Sequence, residues 1–304
     1  MDLYKILTYF YGSLRNYGMP YWIFSPLRRS VRILANTVFP KLLSRNTKKS
    51  RVIKNGLLVS FTSFPERIND VWMVVECLKR QTILPEKIIL WLSIDQFPNK
   101  NVPNNLINEV DELFEIRFVE NDIRSHKKYF YVLKEYPEKD FITCDDDVFY
   151  DPYMIERLLN TSELYPKSVI ANHTSHIQYS EHGELLPYSK WIINELPYAS
   201  ENQLQIGVGG VLYPRGTLHR MAQNQELFMA LTPTADDIWL NAMARLNGTK
   251  IVQSERVVLT LPIINDSIAL CSINNGPGSR NDKQLDALRK YFSENNIEDI
   301  YVRQ

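Results

Sequence analysis

Leu57-Leu58-Val59-Ser60-Phe61-Thr62 is a short apolar run that ends in the polar turn Ser63-Phe64-Pro65-Glu66-Arg67. Val71, Val74, Val75 and Leu78 follow at helical spacing as far as Gln81-Thr82, and Lys87-Ile88-Ile89-Leu90-Trp91-Leu92-Ser93 is a second apolar run. Continuous apolar runs suit strands covered on both faces, and the order strand, helix, strand suits a parallel sheet. The expectation is an α/β domain with a largely parallel sheet flanked by helices. Ligands of such sheets sit at the carboxyl ends of strands. Thr62, Ser63, Arg67, Ser93 and Asp95 fall there.

A third strand-like stretch, Phe141-Ile142-Thr143-Cys144, delivers Asp145-Asp146-Asp147 before apolar residues resume at Val148. Carboxylates at a buried strand end are costly to desolvate unless a cation or strong donors meet them. In extended chain alternate side chains share a face, so Asp145 and Asp147 converge while Asp146 points away. Two such groups suit a hard divalent ion that also carries a diphosphate, whereas an acidic turn is the plain alternative. Just upstream, His126-Lys127-Lys128-Tyr129 could bring Lys127 or Lys128 to a phosphate as a point charge, or simply start a solvated helix.

The composition, 44% hydrophobic and 23% charged without low-complexity tracts, is that of a globular domain. Cys77, Cys144 and Cys271 lack metal-ligand spacing and read as free thiols of a reducing compartment. The net charge of zero hides a split: residues 1–54 hold eleven Lys or Arg and one acid. Leu3, Ile6, Leu7, Phe10 and Leu14 recur at helical spacing, as do Leu27, Val31, Leu34, Ala35 and Val38, beside Arg28, Arg29, Arg32 and Lys41. Two readings stay open for this basic amphipathic extension. It lies on an anionic membrane through residues 1–45, or it packs as an arm on the body with its basic face solvated. Nucleic acid is not expected as a partner, because the body is acidic and carries no recognition motif.

Downstream, Ile206-Gly207-Val208-Gly209-Gly210-Val211 is glycine-dense, which lets backbone approach a sugar closely or forms a bulge. Thr234 and Asp237, three residues apart at the start of a helix, read as a capping box. A helix amino terminus also favours an ionised carboxylate ready to accept a proton. His173, His176 and His182 suggest a loop near the acceptor rather than a zinc site. Asn274 to Asp282 is turn-rich, either an ordinary connection or a loop that folds over bound donor.

Ser-Phe-Thr-Ser-Phe-Pro after a first strand, Gln81-Thr82 before a second and Asp-Asp-Asp after a later one resemble bacterial GT-A type glycosyltransferases, family 2-like, of capsule and lipopolysaccharide clusters. The resemblance runs from about residue 56 to 285. It implies a Rossmann-like GT-A domain over 55–304, with a donor half to about 150, an acceptor half beyond, and residues 1–54 outside as a helical extension. It implies an Asp-x-Asp pair, Asp145 and Asp147, on Mn²⁺ or Mg²⁺. Donor contacts would come from Thr62, Ser63, Phe64, Arg67, Asp95, Lys127, Lys128, Asp145, Asp146 and Arg280. Gly209, Gly210 and Trp239 would serve the acceptor, and Asp237, or else Asp236, would be the general base. The implied reaction moves a sugar from a nucleoside diphosphate sugar, expected to be a UDP sugar, to a polysaccharide or lipid-linked oligosaccharide, with inversion. Such an enzyme belongs in the cytoplasm, peripheral on the inner face of the cell membrane. A nucleotidyltransferase and a non-catalytic sugar-binding protein on the same fold are the rivals.

Overall fold

The structure is a computed structural model that describes residues 3–12, 21–45, 51–193, 199–200, 202–254, 260–264 and 279–301. Strands β1 (Val52–Thr62), β2 (Ile83–Ser93) and β3 (Phe114–Val119) and helix α3 (Val71–Lys79) form where the apolar runs predicted. β1 pairs in parallel with β2, and β2 with β3. On the other side β1 pairs in parallel with β4 (Asp140–Thr143). β11 (Val211–Tyr213) then inserts antiparallel between β4 and β6 (Val169–Ala171). β12 (Ile251–Gln253) and the short β9 (Ala199–Ser200) complete eight strands in the order β3-β2-β1-β4-β11-β6-β12-β9. This is a mixed, largely parallel, Rossmann-like sheet flanked by helices, as expected.

Side chains alternate across this sheet. Leu57, Val59, Phe61, Ile88, Leu90 and Leu92 enter the core beneath α3, while Leu58, Ile89 and Trp91 enter the opposite core. The second core holds α5 (Lys127–Glu135), α8 (Asp236–Leu246) and α9 (Arg280–Glu294). Ser60 is the one polar side chain in the buried run of β1. It accepts from Trp91 Nε1 at 2.9 Å and donates to the Lys128 carbonyl at 2.6 Å. A buried hydroxyl satisfied on both counts fixes the start of α5 over β1.

The amino-terminal extension packs on the body. Helix α1 (Leu3–Tyr11) and helix α2 (Tyr21–Leu43) place Tyr4, Leu7, Tyr11, Val31, Ala35 and Phe39 in the same core as α3. Tyr4 Oη donates to the Phe149 carbonyl at 2.7 Å, and Asn36 Nδ2 donates to that of Pro262 at 3.0 Å. Phe149 and Pro262 lie in β5 (Val148–Phe149) and β13 (Leu261–Pro262), an antiparallel pair that begins directly after the aspartate triplet. Of the stripe predicted from Leu3 to Phe10, only Leu7 is fully buried, and Leu3 and Phe10 face outward. Leu14 and the basic stretch 46–50 lie outside the described residues.

Candidate active site

The strand ends bring two acidic clusters together. After β4 the chain bends, and Asp146 turns inward with 7% of its side chain exposed, against 30% for Asp145 and 25% for Asp147. Asp146 accepts from Ser63 Oγ at 2.5 Å and from Arg67 Nη1 at 2.7 Å. Burial pushes the Asp146 carboxyl up, and the Arg67 guanidinium and Ser63 hydroxyl oppose that. The same Arg67 nitrogen lies 2.9 Å from Asp147. Asp147 is pushed up to about 6 by burial and by Asp145, with Arg67 opposing.

Ser63 and Arg67 thus spend their polar groups on the triplet. Thr62 donates to the Trp91 carbonyl at 2.8 Å, and Phe64 lies under the Arg67 guanidinium, 5.1 Å from ring centre to cation. The turn after β1 is therefore a bracket for the aspartates, with Thr62 and Phe64 partly open at its rim.

The second cluster sits at the head of α8. Lys128, almost fully buried, lies 3.0 Å from Asp145 and 2.9 Å from Asp236 and links the two clusters. Burial works against its charge, but Asp145, Asp236 and Asp237 hold its ammonium group well above the ordinary lysine range. Burial likewise opposes ionisation of Asp236, yet Lys128 holds its carboxyl below the usual carboxylate range. Asp237 is pushed up to about 7 by burial and by the Asp236 charge, with Lys128 opposing. Protein atoms crowd it, but one edge stays open to solvent. Asp237 accepts from the Gly207 backbone N–H at 3.1 Å. A Cβ on Gly207 would lie 3.2 Å from Lys128 Nζ, 3.3 Å from Asp237 Oδ1 and 3.4 Å from Asp145 Oδ1. All three groups converge on this one backbone atom.

Several sequence expectations are corrected here. The capping box does not form: Ala235 precedes the helix without a side-chain cap, and Thr234 Oγ1 donates to Gln284 Oε1 at 3.2 Å. Trp239 is fully buried against Phe228 and donates to the Ala222 carbonyl, so it is a core residue and not an acceptor contact. Lys127 is 1% exposed and pairs with Asp122, whose backbone N–H in turn donates to Asp95 Oδ2 at 3.1 Å. Its ammonium group is consumed inside the protein, while Asp95 itself remains exposed. Gly209 is required by His173: an added Cβ would sit 2.1 Å from the imidazole. Gly210 has φ +89, and an added Cβ would lie 2.9 Å from Met154, so packing and backbone conformation alone account for both glycines. Gly207 is the glycine at the site, and the sequence singled out the run but not this member. Arg280 is exposed in the first turn of α9, and the loop before residue 279 lies outside the described residues. His173 is buried and His182 exposed, and no group of three potential metal ligands occurs among the described residues.

A tyrosine missed by sequence reading belongs nearby. Tyr188 sits in the field of Asp237 and Asp282, its backbone N–H donating to Asp282 at 2.7 Å, and its ring lies 4.9 Å from that of Trp191. Only the isolated aromatic pair in a polar stretch could have signalled it.

A divalent cation fits the outer carboxylates. They are hard oxygen donors, partly exposed, and, after burial, the Asp145 and Asp146 charges push Asp147 up, a repulsion that a cation would offset. With only two such groups, other ligands would come from phosphate and water.

No family model matches this chain, and no curated protein matches it in sequence. Solved structures similar to it include an apo UDP-glucose pyrophosphorylase, at 9% identity and TM-score 0.41, covering 81% of this chain and 100% of that one. A UTP-bound UGPase from Acinetobacter baumannii matches at 13% identity and TM-score 0.42, covering 81% and 94%. A CMP:2-keto-3-deoxy-manno-octonic acid synthetase complexed with CTP matches at 12% and 0.39, covering 81% and 100%. These similar structures are nucleotidyltransferases. Likeness at this level assigns no activity.

Proposed function

We propose that this protein is a divalent-metal-dependent glycosyltransferase acting on a nucleoside diphosphate sugar, with UDP as the expected nucleotide. The observation that carries this reading is the Lys128 bridge. It brings a metal-type carboxylate pair and a second, separately placed carboxylate, Asp237, together around the buried backbone of Gly207. A bound divalent ion would be held by Asp145 and Asp147 and would offset the charge that grows on the departing diphosphate.

The chain's own residues supply the rest. Asp237 takes the proton from an acceptor hydroxyl, and that oxygen bonds to the anomeric carbon. The bond from that carbon to the diphosphate breaks, and its electron pair leaves with the nucleotide. Attack from the face opposite the leaving group inverts the configuration. A carboxylate that titrates at about 7 is matched to this work, because a base near the operating pH is both ionised and strong enough. The Gly207 N–H holds it in place, and the charge of Lys128 opposes the rise in its proton affinity. The acceptor is a hydroxyl of a polysaccharide or a lipid-linked oligosaccharide, and the half-buried Tyr188, backed by the buried Trp191, is the aromatic side chain closest in character to a sugar platform.

Nucleotidyl transfer is the second reading, since it too uses paired aspartates and a metal. Two features favour glycosyl transfer. A phosphate nucleophile needs no base, so Asp237 would be idle. A triphosphate also needs spare cations, and at this edge Arg67 and Lys128 are already engaged by five carboxylates.

The test is a panel of nucleotide sugars with Mn²⁺ and glycan acceptors, scoring nucleoside diphosphate release. Parallel reactions contain EDTA or Asp147→Ala. Turnover of one donor, abolished by both, supports the reading. Pyrophosphate release from a nucleoside triphosphate and a sugar phosphate, with no turnover of any nucleotide sugar, would replace it with nucleotidyl transfer.

A further inference from the structure

The packed arm uses only one side of its helices. In α1, Tyr4, Leu7 and Tyr11 are buried, whereas Leu3 and Phe10, seven residues apart and so on one face, are 37% and 41% exposed. In α2, Val31, Ala35 and Phe39 are buried, whereas Ile23, Ile33 and Leu34 are 41%, 52% and 48% exposed. Ile23 and Leu34 are eleven residues apart, three helical turns, so they too share a face. A helix that packs on a domain needs one apolar stripe, with polar residues opposite. These helices carry a second stripe turned away from the body.

The charge around that stripe is of one sign. Lys5, Arg28, Arg29, Arg32, Lys41 and Arg45 lie in the described part of the arm, and residues 3–45 contain no Asp or Glu. Lys5, Arg29, Lys41 and Arg45 are exposed. Arg28 is taken up by Tyr11, with its cation 4.3 Å from the ring centre and a 3.0 Å hydrogen bond to the hydroxyl. No helix among the described residues is long and apolar enough to cross a membrane.

We infer that the outward face of α1 and α2 is a docking surface for an anionic lipid bilayer, on which the arm lies parallel to the membrane plane. Apolar side chains flanked by cations, with no acid in the segment, complement acyl chains beneath anionic headgroups. A second copy docking symmetrically through this face would bring the same basic surface against itself, so a symmetric arm-to-arm dimer is the disfavoured occupant. The inner face of the arm touches β5 and β13, and the Ile263 N–H donates to the Asp147 carbonyl at 2.8 Å. Docking would therefore hold the aspartate loop at a fixed height above the lipid.

The test is sedimentation of the full chain with vesicles of phosphatidylcholine alone or mixed with phosphatidylglycerol. Binding to the anionic vesicles that weakens with salt is expected. The triple variant Phe10→Ser, Ile33→Gln, Leu34→Gln should bind at least about tenfold more weakly, from the apolar area withdrawn. Arg29→Glu with Lys41→Glu should lose a comparable factor at low salt. These positions are exposed, so unchanged melting is expected, and the single Ile33→Ser serves if the triple variant misfolds. Equal binding to both vesicle types, or binding that no variant changes, overturns the inference. So does a dimer that the triple variant dissociates while vesicles pellet nothing. The measurement needs no turnover, so its failure leaves the transfer reading intact, and the reverse also holds.

Discussion

The aspartate triplet and the aspartate pair are both acid clusters at a strand or helix end, yet they present their working carboxylates differently. In the triplet the middle acid is the anchor, with Asp146 spent on Ser63 and Arg67 while Asp145 and Asp147 on either side stay partly open. In the pair the first acid is the anchor, with Asp236 buried on Lys128 and Asp237 turned to the Gly207 N–H. One arrangement exposes two carboxylates suited to a cation. The other exposes a single carboxylate whose proton affinity is set by its neighbours. A buried acid thus positions a partly exposed one, and the number left partly exposed decides the chemistry each cluster can do.

Removing the cation common to both clusters should have the largest effect. Lys128→Ala leaves Asp145 and Asp236 facing each other without compensation, at a cost of about 3–5 kcal/mol in denaturant unfolding together with loss of activity. If Lys128→Ala folds with wild-type stability, the anchor account fails. Asp237→Asn should lower kcat by about 10²–10⁴ while the melting temperature is kept, because the amide oxygen can still accept from Gly207. Asp146→Asn and Asp147→Asn then separate anchor from working acid. The first should destabilise by about 1–3 kcal/mol, and the second should chiefly abolish stimulation by added Mn²⁺. Equal effects on stability would erase the distinction.

The pH dependence sharpens the pair. Asp237 is harder to ionise in the folded protein, so the sign is that of a raised acid. Its stabilisation relative to the ionised state is complete below the ordinary value of 3.8 and is lost as pH rises through about 7. Wild-type stability should therefore fall relative to Asp237→Asn across that window, while transfer activity rises through about 7 as the base ionises. The smallest effect is expected at Thr234, where loss of the hydroxyl by Thr234→Val removes one partly buried hydrogen bond to Gln284, about 1 kcal/mol by urea unfolding.

Much of the carboxyl edge of β1, β2 and β4 was legible in the sequence because local pattern sets it. Buried strands read as apolar runs, and three aspartates after such a run cannot lie in the core unmatched. Trp239 and Thr234 were misread because their partners, Phe228 with Ala222 and Gln284, are fixed by tertiary packing and not by spacing. Gly207 was indistinguishable from Gly209 and Gly210 in a run where each glycine has a different cause: a carboxylate's hydrogen bond, an imidazole, a positive φ. The antiparallel insertion of β11 between β4 and β6 left no mark in three apolar residues. The arm's two apolar stripes overlapped in sequence, and only packing told inner from outer.

The hydrogen bonds of Tyr4 to Phe149 and Asn36 to Pro262 have a practical cost for anyone who shortens the chain. Trimming the first 45 residues would uncover the two-stranded β5–β13 pair that backs Asp147, exposing Phe149 and freeing a pair of strands only two residues long. A truncated protein prepared for easier handling would then have a slackened aspartate loop, and any loss of the proposed transfer activity would report that loop, whatever the missing helices do for the intact protein.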